Sequence, residues 1–202
     1  GLAALAWFLV AYFRKGQPEA GKGFCTDVFF DAAMAVIRAQ AKAKKPFLVY
    51  LATNAPHGPM HSPEGSAAPY APLKTHVAHF FGMIANIDAN LGRLIALLDG
   101  EGLAEDTILI FTTDNGTSSG HKVFTAGMRG SKGSEYEGGH RVPCFVRWPK
   151  GGVGGGRDVR QLTAHVDIYP TLLELCGIPA PAGVAFDGAS IAPLLRGSSK
   201  GG

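Results

Sequence analysis

The apolar run Ile108-Leu109-Ile110-Phe111, bracketed by Thr107 and Thr112, breaks straight into Thr113-Asp114-Asn115-Gly116. A strand with apolar side chains pointing both ways needs cover on both faces. That is the condition of strands inside a layered α/β sheet, not of a half-solvated hairpin. Phe47-Leu48-Val49-Tyr50-Leu51 has the same character and follows Lys45-Pro46. Cys144-Phe145-Val146-Arg147-Trp148 reads as a third strand, stopped by Pro149.

Helical spacing fills the intervals. Over residues 27–44, Phe30, Ala33, Met34, Ile37 and Ala41 share one face. Thr26 or Asp27 is the expected cap, and Lys45-Pro46 ends the element because the residue before proline is driven out of the helical region. Residues 76–99 carry the strongest stripe, with Phe80, Met83, Ile84, Ile87, Leu91, Leu94, Ile95 and Leu98 at helical spacing and Gly100 and Gly102 beyond them. Residues 167–175 form a further helix, with Pro170 early and Gly177 just past the end. The order of helix, strand, helix, strand, strand, helix predicts an α/β layered fold. A central mostly parallel or mixed sheet would be flanked by helices, with ligands at the carboxyl ends of the strands.

Composition narrows the function classes. The 202 residues are 46% hydrophobic, enough for a real core. A net charge of +3 with scattered cations gives no footprint for nucleic acid. Lys42, Lys44 and Lys45 sit where a helix C-terminus favours positive charge. Cys25, Cys144 and Cys176 are too few and too widely spaced for a disulfide or zinc framework. The apolar run at 1–13 is too short to span a bilayer, and it lacks the basic flank and cleavage site of a secretory leader. A buried segment is the expectation there, with no membrane span.

Four residues are candidates for chemistry. Asp114 and Asn115 put a carboxylate and an amide oxygen side by side where Gly116 permits a turn; hard cations take such oxygen ligands, and an Asx-turn is the structural alternative. Lys132 lies in Arg129-Gly130-Ser131-Lys132-Gly133, where glycines let backbone N–H groups approach an anion and the ammonium adds a point charge. A solvated loop lysine is the alternative. Glu137 can orient Lys132 or serve a turn. His57, in Pro56-His57-Gly58-Pro59, has rigid flanks that would hold an imidazole ready to donate to an oxyanion or protonate a leaving group.

Taken in order, TNAPHGP, IDANLGRLIALL, TILIFTTDNG, RGSKGSEYEGGHRVP, HVDIYPTLLELCGIP and FDGASIAPLLRG resemble the sulfatases of the alkaline-phosphatase superfamily, from about Thr26 to Gly197. The resemblance implies a large α/β domain with a mixed sheet and hydrolysis of sulfate esters, on small molecules or glycans. It implies a formylglycine nucleophile made from a Cys or Ser in a Cys-x-Pro-x-Arg type motif. It implies Ca2+ held in part by Asp114 and Asn115, with Lys132 on a sulfate oxygen near the leaving group and His57 on the sulfate. Family habit implies a periplasmic or secreted location.

The chain also departs from that pattern. No cysteine here has the Pro and Arg of the nucleophile motif, and the early Asp-Asp metal pair and the upstream Lys and His have no counterpart. The expectation is that residues 1–202 are a partial catalytic domain, truncated at both ends. It would be inactive alone, with N-terminal strands and a C-terminal subdomain absent and a further chain supplying the missing N-terminal half. Two alternatives stay open: a non-catalytic fragment keeping an oxyanion or calcium site, and a phosphoesterase relative.

Overall fold

The computed structural model describes residues 11–14, 17–20 and 22–197. The predicted buried segment at 1–13 lies mostly outside them; its end falls in β1 (Ala11–Arg14), which pairs antiparallel with β2 (Gln17–Ala20). The chain divides into two compact units: residues 1–102 with 114–142, and residues 103–113 with 143–202.

The first unit is built on two helices, α1 (Cys25–Lys42) and α2 (Thr75–Gly100), which pack together. Phe30, Ala33, Met34 and Ile37 of α1 are buried, as are Val77, Phe80, Met83, Leu94, Leu97 and Leu98 of α2. Apart from Ala33, each such side chain removed from water contributes roughly 1.5–3 kcal/mol. α2 is long and apolar enough, by composition, to cross a bilayer. Here its stripe meets α1, and polar side chains cross the same interface. Asn90, only 2% exposed, donates through Nδ2 to Asp27 Oδ1 at 2.6 Å and to Asn86 O at 2.9 Å. Asn86 Nδ2 also donates to Asp27 Oδ1, at 2.8 Å. Arg93 donates to Asn90 Oδ1 at 2.7 Å and to Asp31 Oδ1 at 2.5 Å.

This network corrects the expected cap. α1 begins at Cys25, Phe24 occupies the cap position without a side-chain hydrogen bond, and Val28 N–H donates to Phe24 O at 3.1 Å. Thr26 is fully buried, and Asp27 is committed to α2. A carboxylate that meets two carboxamides across a helix pair is held more firmly than one capping a solvated end.

The second unit holds β3 (Leu109–Thr112) and β4 (Cys144–Arg147), with Leu109 opposite Arg147, Ile110 opposite Val146, Phe111 opposite Phe145 and Thr112 opposite Cys144. Its core joins Val153 to Leu175 of α4 (Ile168–Cys176) and to Ala192 and Leu195 of α5 (Ala192–Leu195), with Ile108, Val146 and Trp148 packed against them. Gly177 ends α4 in the left-handed conformation at φ 65°, as its position after the stripe predicts.

The central mostly parallel or mixed sheet is not found among the described residues, where both two-stranded sheets are antiparallel. A continuous apolar run specifies burial but not pairing direction. The expected strand at 47–51 is not paired either. It has no regular secondary structure, with Leu48 85% and Tyr50 92% exposed. A strand exists only through its ladder, and no neighbouring backbone among the described residues offers one.

Candidate functional site

The turn after β3 and the glycine-rich loop are joined through backbone. Gly116 N–H donates to Gly139 O at 2.9 Å, and Lys132 N–H donates to Thr117 O at 3.0 Å. Gly138 N–H returns to Arg129 O at 2.7 Å within the loop. The glycines permit this closeness. A Cβ on Gly116 would stand 1.9 Å from Gly138 O, and one on Gly138 would stand 2.4 Å from Gly130 O. Backbone meets backbone at both positions, with no side chain able to yield. The short helix α3 (Glu137–His140) then leads the chain out of the loop.

Asp114 is exposed and Asn115 half-buried. Asn115 Nδ2 donates to Asp114 Oδ2, so the two side chains lie together. Their oxygens are of the type a hard cation takes, but they are two of the six to eight such an ion gathers. Among the described residues no three His, Cys, Asp or Glu side chains converge. The donor pair fits calcium in kind and supplies only part of a shell.

Lys132 is exposed. Glu137 does not orient it: Glu137 Oε1 accepts from Arg141 Nη1 at 3.0 Å, one helical turn on. Arg129 caps the Tyr136 ring, its guanidinium carbon 3.7 Å from the centroid. This contact and the tie from Ser134 Oγ to Ser131 O at 2.8 Å stiffen the loop around Lys132.

His57 is exposed, and its hydrogen bonds stay local: N–H to Asn54 O at 2.9 Å, and ring Nδ1 with Gly58 O at 3.0 Å. Because a carbonyl can only accept, Nδ1 carries the proton in that contact. The structure therefore brings together the loops of Asp114, Asn115 and Lys132, while His57 sits in its own loop. That loop is anchored to α2 by Ser62 Oγ and His79 Nδ1 at 2.9 Å, and by the close approach of Ser62 and Ala67 to Gly82. No local sequence signal marks Ser62, 17 positions upstream, as the partner of His79.

The family model described as Sulfatase matches residues 9–178. The chain belongs to the sulfatase family. Mouse steryl-sulfatase is 34% identical over 201 residues, covering 96% of this chain and 31% of that protein. Dog N-acetylgalactosamine-6-sulfatase is 29% identical, covering 95% of this chain and 37% of that protein. This sulfatase chain thus spans about a third of the length of the curated relatives it matches. Among solved structures, Ps i-CgsB in complex with k-i-k-neocarrahexaose superposes with a TM-score of 0.83 at 28% identity, covering 91% of this chain and 41% of that one. The putative sulfatase yidJ from Bacteroides fragilis superposes with a TM-score of 0.79 at 22% identity, covering 96% of this chain and 47% of that one. The sulfatase α/β fold is thereby shared, though the two antiparallel pairs described above are the only sheets among the described residues.

Proposed function

We propose that this chain forms the cation- and sulfate-gripping part of a sulfuric ester hydrolase. The observation that supports the reading is the double backbone tie, Gly116 to Gly139 and Lys132 to Thr117, which keeps a carboxylate–amide pair and an ammonium-bearing loop on adjoining backbone. Asp114 and Asn115 would hold Ca2+ through their side-chain oxygens. Calcium, when bound there, polarises a sulfate oxygen and offsets the negative charge of the group being transferred. Lys132 binds a sulfate oxygen beside the leaving group, where its charge is worth more as the ester bond breaks. With Nδ1–H given to Gly58 O, His57 would donate from Nε2 to a sulfate oxygen, and pass that proton to the departing oxygen, in its doubly protonated form.

The substrate class follows the relatives, whose names describe a steryl sulfatase and an N-acetylgalactosamine 6-sulfatase. For this chain the reading is a sulfate ester on a small molecule or a glycan. No residue here matches the nucleophile motif, so the 202 residues bind without turning over. Turnover then requires a polypeptide that carries the motif, as a partner chain or as a further part of the same one.

Titration calorimetry of the chain with sodium sulfate, with and without calcium chloride, tests the reading. The expected result is saturable sulfate binding that calcium strengthens and Lys132→Ala removes, with no release of nitrophenol from 4-nitrophenyl sulfate. Sulfate binding indifferent to both calcium and Lys132, or no binding, would overturn it.

A further inference from the structure

The chain has four asparagines, at 54, 86, 90 and 115, and only Asn115 is followed by glycine. The following residue decides how readily an asparagine side chain closes on its own backbone. The attacking atom is the backbone nitrogen of that residue, and a side chain there crowds it. Ala55, Ile87 and Leu91 each carry a Cβ; Gly116 carries none. Asn86 and Asn90 also lie inside α2, where the helical ladder holds the nitrogen that follows. Asn115 lies in the turn after β3, outside helix and strand.

Tertiary structure restrains the same pair. Gly116 N–H donates to Gly139 O at 2.9 Å, and Gly116 is packed so closely that a Cβ would stand 1.9 Å from Gly138 O. Asn115 is half-buried, and its Nδ2 donates to Asp114 Oδ2. Ring closure needs the Gly116 nitrogen to lose its proton and turn toward Asn115 Cγ. While Gly139 O holds that proton, neither can happen. The reaction therefore waits on a local opening that breaks the rung.

We propose that Asn115 is a self-modification site, a deamidating asparagine gated by the hydrogen bond from Gly116 to Gly139. Once that bond opens, a solvent base takes the Gly116 amide proton and the nitrogen attacks Asn115 Cγ. A new N–C bond closes a cyclic imide, the Cγ–Nδ2 bond breaks, and the side-chain nitrogen leaves as ammonia with a proton from water. Water then opens the imide. Attack at Cγ gives aspartate; attack at the main-chain carbonyl of residue 115 gives isoaspartate, with the backbone rerouted through Cγ. Nothing is oxidised or reduced. Either product replaces the carboxamide that donates to Asp114 with a carboxylate, and so adds negative charge beside Asp114. Isoaspartate also inserts a methylene into the main chain before Gly116, which puts the rungs to Gly139 and from Lys132 to Thr117 out of register.

The test holds the full chain in mildly alkaline buffer, folded or in concentrated urea. The peptide containing residues 113–117 is followed by mass spectrometry, with the aspartate and isoaspartate forms separated chromatographically. In urea Asn115 should convert before Asn54, Asn86 and Asn90. In the folded chain its conversion should be slower by about tenfold or more, the effect of even a modest local opening equilibrium. Urea below the unfolding transition should speed the conversion and the hydrogen exchange of the Gly116 amide by the same factor. The proposal is overturned if Asn115 converts in the folded chain at the urea rate, if another asparagine converts first in urea, or if conversion does not follow Gly116 exchange.

Discussion

The backbone N–H of Lys132 donates to the carbonyl of Thr117 across 3.0 Å, so the glycine-rich loop hangs from the turn that carries Asp114 and Asn115. One residue earlier, Gly116 donates to Gly139, and the two rungs together fix the approach of the loops. Side-chain chemistry at the site thus depends on backbone packing that only glycine allows.

Gly116→Ala should therefore be severe for a surface substitution. Its Cβ would meet Gly138 O at 1.9 Å, and the carbonyl cannot move without breaking the neighbouring rungs. We expect a loss on the order of 2–4 kcal/mol in chemical denaturation, in line with other changes that force backbone shifts. Amide shifts should spread through residues 129–139 in heteronuclear NMR spectra. A spectrum unchanged beyond residue 116 would refute the packing argument.

Asp114→Asn keeps the shape of the donor pair and removes its charge. Calcium affinity by calorimetry should fall by about tenfold or more, because electrostatic attraction between carboxylate and dication dominates such sites. Unchanged affinity would remove Asp114 from the ligand set.

Asn90 is the joint of the helix pair. Asn90→Ala would strip two donations and one acceptance from a side chain that is almost wholly buried, and leave Asp27 with one carboxamide partner on that oxygen. The expected cost is about 2–4 kcal/mol, read as a lower denaturation midpoint with the slope unchanged. A midpoint within error of the unmodified chain would show that the network is dispensable.

Asp167 supplies a pH dependence. The amides of Ala164 and Ala189 donate to its carboxylate at 2.8 and 2.9 Å and hold its pKa below the ordinary carboxylate value. A group depressed in this way stabilises the fold above its unfolded pKa of about 4 and gives that stability up as pH falls through the lower folded value. Thermal unfolding at pH 7 should show a lower midpoint for Asp167→Asn than for the unmodified chain, and the gap should close near pH 2. A gap that persists at low pH would point to lost packing rather than lost charge.

Much of the helical framework was legible in advance. The stripe from Phe80 to Leu98 gave α2 to within a residue or two, and Phe30, Met34 and Ile37 gave the buried face of α1. Both elements follow from periodicity, which local spacing carries in full. Local spacing misplaces the cap of α1 because Asp27 answers to Asn86 and Asn90, some sixty positions away. The apolar character of the run Phe47–Leu51 predicts a buried strand, yet Leu48 and Tyr50 face solvent. Hydrophobicity states what a segment would gain from cover and says nothing about whether cover is there.

At the site, residue chemistry and position were written in the chain itself: oxygen donors at 114 and 115 after an apolar run, an ammonium at 132 among glycines, an imidazole at 57 beside prolines. Tertiary structure decided which of these adjoin. It tied the loops of 114–117 and 130–139 through backbone rungs, gave Glu137 to Arg141, and kept the hydrogen bonds of His57 within its own loop. The physical reason is range. Spacing and propensity act over a few residues, whereas a hydrogen bond between Gly116 and Gly139 forms only after the intervening chain has folded back and brought two carbonyls and two amides into register.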